Sequence, residues 1–133
     1  MKMKFEILNV DDDKIIRLVH KRMMLKCNFH ADPFSFANGK EALDYIMQND
    51  EANKTCCVLL DINMPVMNGW EFLDEYKRLN LDPLGKSKIY IISSSVFSND
   101  INKARSYPLV KNFISKPLSV EKIKEMLAAN NRN

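Results

Sequence analysis

Short apolar runs alternate along the whole chain with segments whose apolar residues recur at helical spacing. The first pattern is typical of buried strands, and the second is typical of helices that cover a sheet. The predicted strands are 4–10, 29–36, 58–60, 89–92 and 110–114. The predicted helices are 15–26, 38–48, 70–79, 99–106 and 120–129.

The alternation of strands and helices predicts right-handed crossovers, and therefore a parallel sheet with helices on both faces. The fold class is accordingly α/β, a doubly wound, five-stranded parallel sheet with five helices. Pro33 lies inside the second predicted strand and favours an edge position, because proline cannot donate a ladder hydrogen bond. We expect one domain over residues 1–129, followed by a polar tail at 130–133.

The first predicted helix combines apolar residues with a high density of basic ones. Asp13 is its candidate N-cap. The apolar residues at helical spacing are Ile15, Leu18, Val19 and Met23. The basic residues are Lys14, Arg17, Lys21, Arg22 and Lys26. We interpret the basic residues as a solvated face and expect no direct nucleic-acid partner, because no nucleic-acid-binding motif accompanies them.

Composition narrows the class of protein further. The 133 residues are 46% hydrophobic and 28% charged, with a net charge of +3, as in ordinary globular domains. No apolar run approaches the roughly 18 residues that a membrane span needs, and the N-terminus lacks a signal-peptide core, so we expect a cytoplasmic protein without membrane contact. Cys27, Cys56 and Cys57 form no disulfide framework, and we interpret them as small buried hydrophobes.

Polar residues follow four of the five predicted strands. They are Asp11-Asp12-Asp13 after the first strand, Asp61 after the third, Ser93-Ser94-Ser95 after the fourth and Ser115-Lys116-Pro117 after the fifth. A parallel sheet brings these ends to one edge, where ligands of open α/β sheets bind. Any one of these residues could be an ordinary turn or cap residue. That interpretation does not explain why acids, a hydroxyl and a lysine collect together.

The chemistry of these groups suggests phosphoryl transfer. Two carboxylates within about 4 Å repel by roughly 4 kcal/mol at an effective dielectric near 20, so a proton or a cation must relieve them. Oxygen ligands without His or Cys favour a hard ion, and Mg²⁺ suits a shallow site of this kind. The ion would let an anionic electrophile approach Asp61, while a lysine and a hydroxyl hold its other oxygens. A carboxylate can then act as the nucleophile and form an acyl phosphate.

In order and spacing, these groups resemble the receiver domains of two-component response regulators, in particular the single-domain, chemotaxis-regulator-like kind. The resemblance rests on the acids after the first strand, Asp61 before Met64-Pro65-Val66-Met67-Asn68-Gly69, Ser93 after the fourth strand, and Lys116-Pro117 after the fifth. It covers nearly the whole chain and implies the flavodoxin-like fold. It also implies a phosphoacceptor switch that assists its own phosphorylation and slow dephosphorylation, rather than a turnover enzyme.

The resemblance assigns a role to each residue by position. Asp61 looks like the phosphoacceptor. Asp11 and Asp12 look like the acids that bind Mg²⁺ beside it, with the backbone carbonyl of Asn63 as a further ligand. Lys116 looks like the lysine that pairs with phosphoryl oxygen, and Pro117 would follow a cis peptide. The switch residues would be Ser93, which offers its hydroxyl to the phosphoryl group, and Phe113, the rotating aromatic.

Two positions depart from the commoner family pattern, and at one of them the neighbouring residue could play the same role. Ser93 stands where Thr is commoner, and Phe113 stands where many receivers have Tyr. The run of serines allows either Ser93 or Ser94 to be the switch hydroxyl. We prefer Ser93, which leaves Ser94 at the small position where phosphoryl oxygen approaches.

The resemblance also implies the partners. Asp61 would receive its phosphoryl group from a sensor histidine kinase or a histidine phosphotransfer protein. The change would then be presented to an unknown downstream protein on the surface of the fourth helix, fifth strand and fifth helix. We expect a monomer or a weak dimer, and the sequence fits a stand-alone receiver or part of a longer regulator.

Two other functions compete. An aspartate-nucleophile phosphatase of the haloacid-dehalogenase type shares Mg²⁺, Asp, Ser and Lys, but it has a second Asp two residues after the nucleophile. Asn63 occupies that place here and cannot donate a proton in the same way. A pseudo-receiver that only binds partners would not need the full set of acid, hydroxyl and lysine. His20 and His30 are the only histidines, and we interpret His20 as a surface or half-buried structural residue rather than as a phosphohistidine.

Overall fold

A computed structural model of the chain describes residues 4–27, 33–49, 54–83, 85–94, 98–116 and 118–131. Strands and helices alternate through these residues, as the hydrophobic pattern predicted. The strands are β1 Lys4–Val10, β2 Phe34–Phe36, β3 Lys54–Leu60, β4 Lys88–Ser93 and β5 Val110–Ser115. The helices are α1 Lys14–Lys26, α2 Gly39–Gln48, α3 Gly69–Arg78, α4 Ser98–Arg105 and α5 Val120–Asn131.

The five strands form one parallel sheet in the order β2-β1-β3-β4-β5. This confirms the predicted doubly wound fold, and β3 lies at its centre. Pro33 directly precedes β2, which is an edge strand as expected. The first part of the predicted second strand, 29–32, lies outside the described residues.

The central strand shows how the sheet buries both of its faces. Cys56, Val58 and Leu60 pack in one core with residues of α2 and α3. Cys57 and Leu59 pack in a second core with residues of α1 and α5. The two adjacent cysteines are therefore both buried, on opposite faces, as predicted. Burial raises the pKa of the Cys56 thiol to about 11, which keeps it protonated at neutral pH.

Two elements, β3 and α5, extend beyond a predicted bound by two residues or more. β3 begins at Lys54 rather than at Val58, because its polar first residues find partners in the sheet. Lys54 Nζ lies 2.8 Å from Glu6 Oε1 on β1, and the hydroxyl of Tyr45 donates to the same oxygen at 2.8 Å. At the other end of the chain, α5 continues to Asn131, so the first half of the predicted polar tail is helical.

Helix α1 places its apolar stripe in solvent. Ile15 is 71% exposed and Leu18 is 49% exposed, whereas His20 and Met24 are buried against the sheet. Helical spacing therefore predicted the helix but did not identify its inner face. Asp13 is its N-cap as predicted, and accepts hydrogen bonds from the N–H groups of the first turn. Across the described residues, no helix combines the length and apolar character needed to cross a bilayer.

Gly69 sets how closely α3 approaches the end of β3. A Cβ at this position would lie 2.6 Å from the Asp61 carbonyl oxygen and 2.9 Å from Ile62 Cα. Because these are backbone atoms, they cannot give way as a flexible side chain would. We expect Gly69→Ala to lower the free energy of unfolding in urea by about 2 to 3 kcal/mol.

Gly85→Ala is the matched control. Gly85 has φ +64, and an added Cβ would meet nothing within 4 Å. Its substitution should cost only the left-handed backbone conformation, about 1 kcal/mol. Equal losses for the two variants would show that contact with the backbone of Asp61 and Ile62 is not what demands glycine at position 69.

Candidate functional site

The predicted site residues meet at the carboxyl edge of the sheet. Asp11 follows β1, Asp61 follows β3, Ser93 ends β4 and Lys116 follows β5. Backbone hydrogen bonds hold neighbouring ends together: the Asp61 N–H donates to the Val10 carbonyl at 2.9 Å, and the Lys116 N–H donates to the Ser93 carbonyl at 2.8 Å. These groups are therefore carried on ordered strand ends rather than on free loops.

Three carboxylates and a lysine form the centre of the site. Carboxylate oxygens of Asp11, Asp12 and Asp61 all lie within 4.8 Å of one another. Asp11 and Asp61 are buried, whereas Asp12 is exposed. Lys116 Nζ lies 2.7 Å from Asp11 Oδ2 and 3.5 Å from Asp61 Oδ1, so its cation bridges the two buried acids and lies nearer to Asp11.

The electrostatics of Asp61 reflect this crowding. Burial, followed by the negative charge of Asp11, raises the pKa of Asp61 to about 6, although Lys116 opposes the change. Burial would lower the pKa of Lys116, but its contacts with Asp11 and Asp61 outweigh burial and raise that pKa above its usual value. The repulsion expected from the sequence is thus present, and one lysine relieves it in part.

Asp11 is held from several sides. Its N–H donates to the Phe36 carbonyl at 3.0 Å, and its Oδ1 accepts the N–H of Asp13 at 2.9 Å. Nη1 of Arg17 donates to its backbone carbonyl from the first turns of α1. Asp13 itself is turned away into the cap of α1, as predicted, and is absent from the carboxylate cluster found among the described residues.

The loop after Asp61 is tightly bent. Val66 has φ +69, a conformation that a β-branched residue rarely adopts, and the N–H of Met67 donates to the Pro65 carbonyl at 2.7 Å across it. Val66 is nevertheless 76% exposed. Strained backbone of this kind persists where the surrounding structure fixes it, and it occurs often at functional sites. Asn63 is exposed in the same loop.

The predicted switch residues lie where the chain order placed them. Ser93 is fully buried as the last residue of β4, and Ser94, the next residue, is exposed. Phe113 on β5 is half-buried against the core shared with α2 and α3. Ser95 and Pro117 lie outside the described residues, so the expected cis peptide stays a prediction.

Sequence reasoning missed two features close to these acids. Arg17 was one of five basic residues on a helix and nothing in its spacing marked it, yet its side chain contacts the backbone of Asp11. His20 is buried under α1 with its Nδ1 3.4 Å from Asn9 Oδ1. Burial, the largest influence, lowers the pKa of His20. His20 is thus more deeply buried than the surface or half-buried structural position predicted from the sequence.

Comparison with known proteins agrees with this geometry. A family model described as the response regulator receiver domain matches residues 7–128. The chain belongs to that family. The structure of a two-component response regulator from Cytophaga hutchinsonii superposes with a TM-score of 0.81 at 26% sequence identity, covering 99% of this chain and 100% of that one.

Two curated relatives of this receiver differ in length. A probable methanogenesis regulatory protein, FilR2, of Methanothrix harundinacea is 29% identical over 122 residues, which are 90% of this chain and 77% of that protein. An uncharacterized response regulatory protein of Staphylococcus epidermidis is also 29% identical, over 92% of this chain but only 45% of its own length. The chain thus spans less than half of that relative.

The raised pKa of Asp61 predicts a pH-dependent stability. The pKa is about 6 in the folded state and near 4 when unfolded, so the stability that protonated Asp61 contributes is full below about pH 4 and is lost as the pH rises through 6. That difference corresponds to about 3 kcal/mol, which solvent screening reduces to about 1 to 2 kcal/mol. In Mg²⁺-free buffer, Asp61→Asn should raise the free energy of unfolding by this amount at pH 8.

The gain from Asp61→Asn should be largely lost at pH 4, because Asp61 is then protonated in the folded state and about half protonated in the unfolded state. Urea titrations of both proteins at the two pH values measure it. Asp44→Asn is the control, since Asp44 is a surface residue paired with Lys40 at 3.2 Å. If Asp61→Asn raised the free energy of unfolding equally at pH 4 and pH 8, that result would contradict a raised pKa of Asp61.

Proposed function

We propose that this receiver domain stores a signal as an aspartyl phosphate on Asp61. The observation that carries the proposal is the buried position of Asp61 beside two further carboxylates, with Lys116 Nζ 3.5 Å away. A carboxylate oxygen of Asp61 attacks the phosphorus of a phosphohistidine, the N–P bond breaks, and the imidazole leaves with that electron pair. Lys116 then pairs with an oxygen of the transferred group.

Mg²⁺ is the cofactor that this donor set fits. Three carboxylates within 4.8 Å of one another form an oxygen-only set of the kind that hard divalent cations bind. Asp11, Asp12, Asp61 and the backbone carbonyl of Asn63 would hold the ion. The ion would supply charge neutralisation, which would let a phosphoryl anion approach a site that is otherwise rich in negative charge.

The readout we propose begins at Ser93 and Phe113. Ser93 would turn its hydroxyl to the phosphoryl group, Ser94 would leave room for a phosphoryl oxygen, and Phe113 would change rotamer. The burial of Ser93 and the exposure of Ser94 support the choice between the two serines. The bistable element is then the surface of α4, β5 and α5, presented to a downstream protein.

Such a change would have to act on the contacts between α3 and α4. The rings of Trp70 on α3 and Tyr107 after α4 stack at 5.9 Å, and Lys103 Nζ of α4 lies 4.8 Å from the centre of the Trp70 ring. The Tyr107 hydroxyl donates to Asp74 Oδ1 on α3 at 2.8 Å. These contacts hold α4 in one position. The turning of the Ser93 hydroxyl to a phosphoryl group would have to shift α4 from that position.

The exposed stripe of α1 suits a protein donor. α1 begins just after Asp11 and Asp12, so a phosphohistidine reaching Asp61 would bring its own protein against this helix. Ile15, Leu18 and Val19 are exposed there among basic side chains. Apolar side chains with a charged rim are typical of protein interfaces. We propose that the sensor histidine kinase or histidine phosphotransfer protein docks on this stripe.

Asp61→Asn should abolish Mg²⁺-dependent labelling by acetyl phosphate, because the amide cannot serve as the nucleophile. Mass spectrometry of the intact chain measures the added phosphoryl group. Asp44→Asn, a surface variant on α2, should label like wild type. Full labelling of Asp61→Asn would contradict the assignment, and steady turnover of p-nitrophenyl phosphate by wild type would favour the phosphatase instead.

Replacing Ile15 and Leu18 together by serine should slow phosphoryl transfer from a protein donor about tenfold, as loss of a modest interface anchor does. Labelling by acetyl phosphate should not change, because neither residue belongs to the acid site. The donor for this comparison is any histidine kinase or phosphotransfer protein that labels wild type. Met47→Ser, an exposed apolar residue of α2, is the control. Equal slowing with both kinds of donor would contradict docking on α1.

A further inference from the structure

The backbone carbonyl of Asp11 takes part neither in the ladder between β1 and β3 nor in the hydrogen bonds of helix α1. The ladder between β1 and β3 ends one residue earlier, where the Val10 carbonyl accepts the N–H of Asp61. Helix α1 begins two residues later with Asp13 as its cap, so the first helical N–H groups do not reach back to Asp11. Asp11 is nevertheless only 2% exposed.

Arg17 supplies the hydrogen bond that this carbonyl receives within the described part of the chain. A buried carbonyl left without a donor costs about 1 to 3 kcal/mol, so the peptide after Asp11 would turn to find water. That peptide joins Asp11 to Asp12, and its rotation would redirect both carboxylates. The bond from Arg17 therefore acts on the acid site through the backbone.

Arg17 is itself fixed against the sheet. The amide of Asn9, a buried residue of β1, donates to the Arg17 carbonyl at 3.2 Å. His20 Nδ1 lies 3.4 Å from the other end of that amide, and both side chains are buried. The helix turn that carries Arg17 is thus bound to the same strand whose end it supports.

We propose that Arg17 is a positioning residue of the metal site, which holds the Asp11–Asp12 peptide so that the two carboxylates converge with Asp61 on a divalent cation. This inference rests on the Mg²⁺ site of the proposed function, but not on phosphoryl transfer. Residues that orient metal ligands are worth about 10- to 100-fold in metal affinity. Arg17 contacts the backbone of Asp11 and none of the carboxylate oxygens. It would therefore orient the metal ligands without being a ligand itself.

The sign of the effect separates this role from a plain charge effect. A cation close to a metal site repels the metal ion, so removing its charge alone should leave Mg²⁺ affinity unchanged or increase it. Removing a positioning bond should decrease that affinity. Arg17→Met tests this, because it keeps most of the side-chain length while losing both the charge and the donor. Arg22→Met is the matched control, since Arg22 is exposed on the same helix.

The experiment is calorimetric titration of the full chain with MgCl2 at pH 8, where Asp61 is ionised, with thermal unfolding in EDTA as a check on folding. We expect Arg17→Met to bind Mg²⁺ about tenfold more weakly than wild type, and Arg22→Met to stay within about twofold. Arg17→Lys should recover part of the loss, because an ammonium can still donate to the carbonyl.

Three outcomes would overturn the proposal. Affinity of Arg17→Met equal to or above that of wild type would assign Arg17 a charge role only. Equal weakening in Arg17→Met and Arg22→Met would show a non-specific effect of losing an arginine from α1, and not a role for the bond to the Asp11 carbonyl. Wild-type protein that binds no Mg²⁺ would remove the metal site of the proposed function together with this inference, whereas the first two outcomes leave that site intact. If Arg17→Met does not fold, Arg17→Lys against Arg22→Lys decides, with weaker binding expected for Arg17→Lys alone.

Discussion

Electrostatic repulsion among three carboxylates at the carboxyl edge of the sheet is the constraint on which the rest of this receiver depends. Asp11 and Asp61 are buried at the ends of adjacent strands, and burial, followed by the negative charge of Asp11, raises the pKa of Asp61 to about 6. Lys116 relieves the repulsion from a third strand end, with its Nζ 2.7 Å from Asp11. The site is consequently short of positive charge, which favours the binding of a divalent cation.

Holding like charges together requires a rigid backbone, and the surrounding structure supplies it. Hydrogen bonds between neighbouring strand ends fix the positions of Asp61 and Lys116, while α1 contributes Arg17 to the turn that carries Asp11. On the other side, Gly69 lets α3 pack directly on the backbone of Asp61. The positive φ of Val66 has a related cause, because the chain must turn sharply between Asp61 and the start of α3.

Much of the fold and the location of the site could be predicted from the sequence, because hydrophobic patterns and polar residues at strand ends are local signals. Alternating apolar runs and helical patterns predicted the element order, and the polar residues that follow four of the five strands predicted the edge where the site forms. Asp13 was recognised as a cap because capping acts within one turn of helix. Prediction was weaker for β3, whose first residues are polar and look unlike a buried strand. Lys54 belongs there because Glu6 on β1 neutralises it and the ring of Tyr45 on α2 covers it, and these contacts come from other elements.

The sequence by itself determined the fold class, the order of the strand ends and the identity of the acids, hydroxyl and lysine that meet there. Only the tertiary structure decided which face of α1 is buried, that Lys116 lies nearer to Asp11 than to Asp61, and that Arg17 reaches the backbone of the acid site. The reason is physical. Periodicity and chain order can be read along the sequence, whereas burial, ion pairing and the hydrogen bond to the Asp11 carbonyl depend on which other elements come into contact.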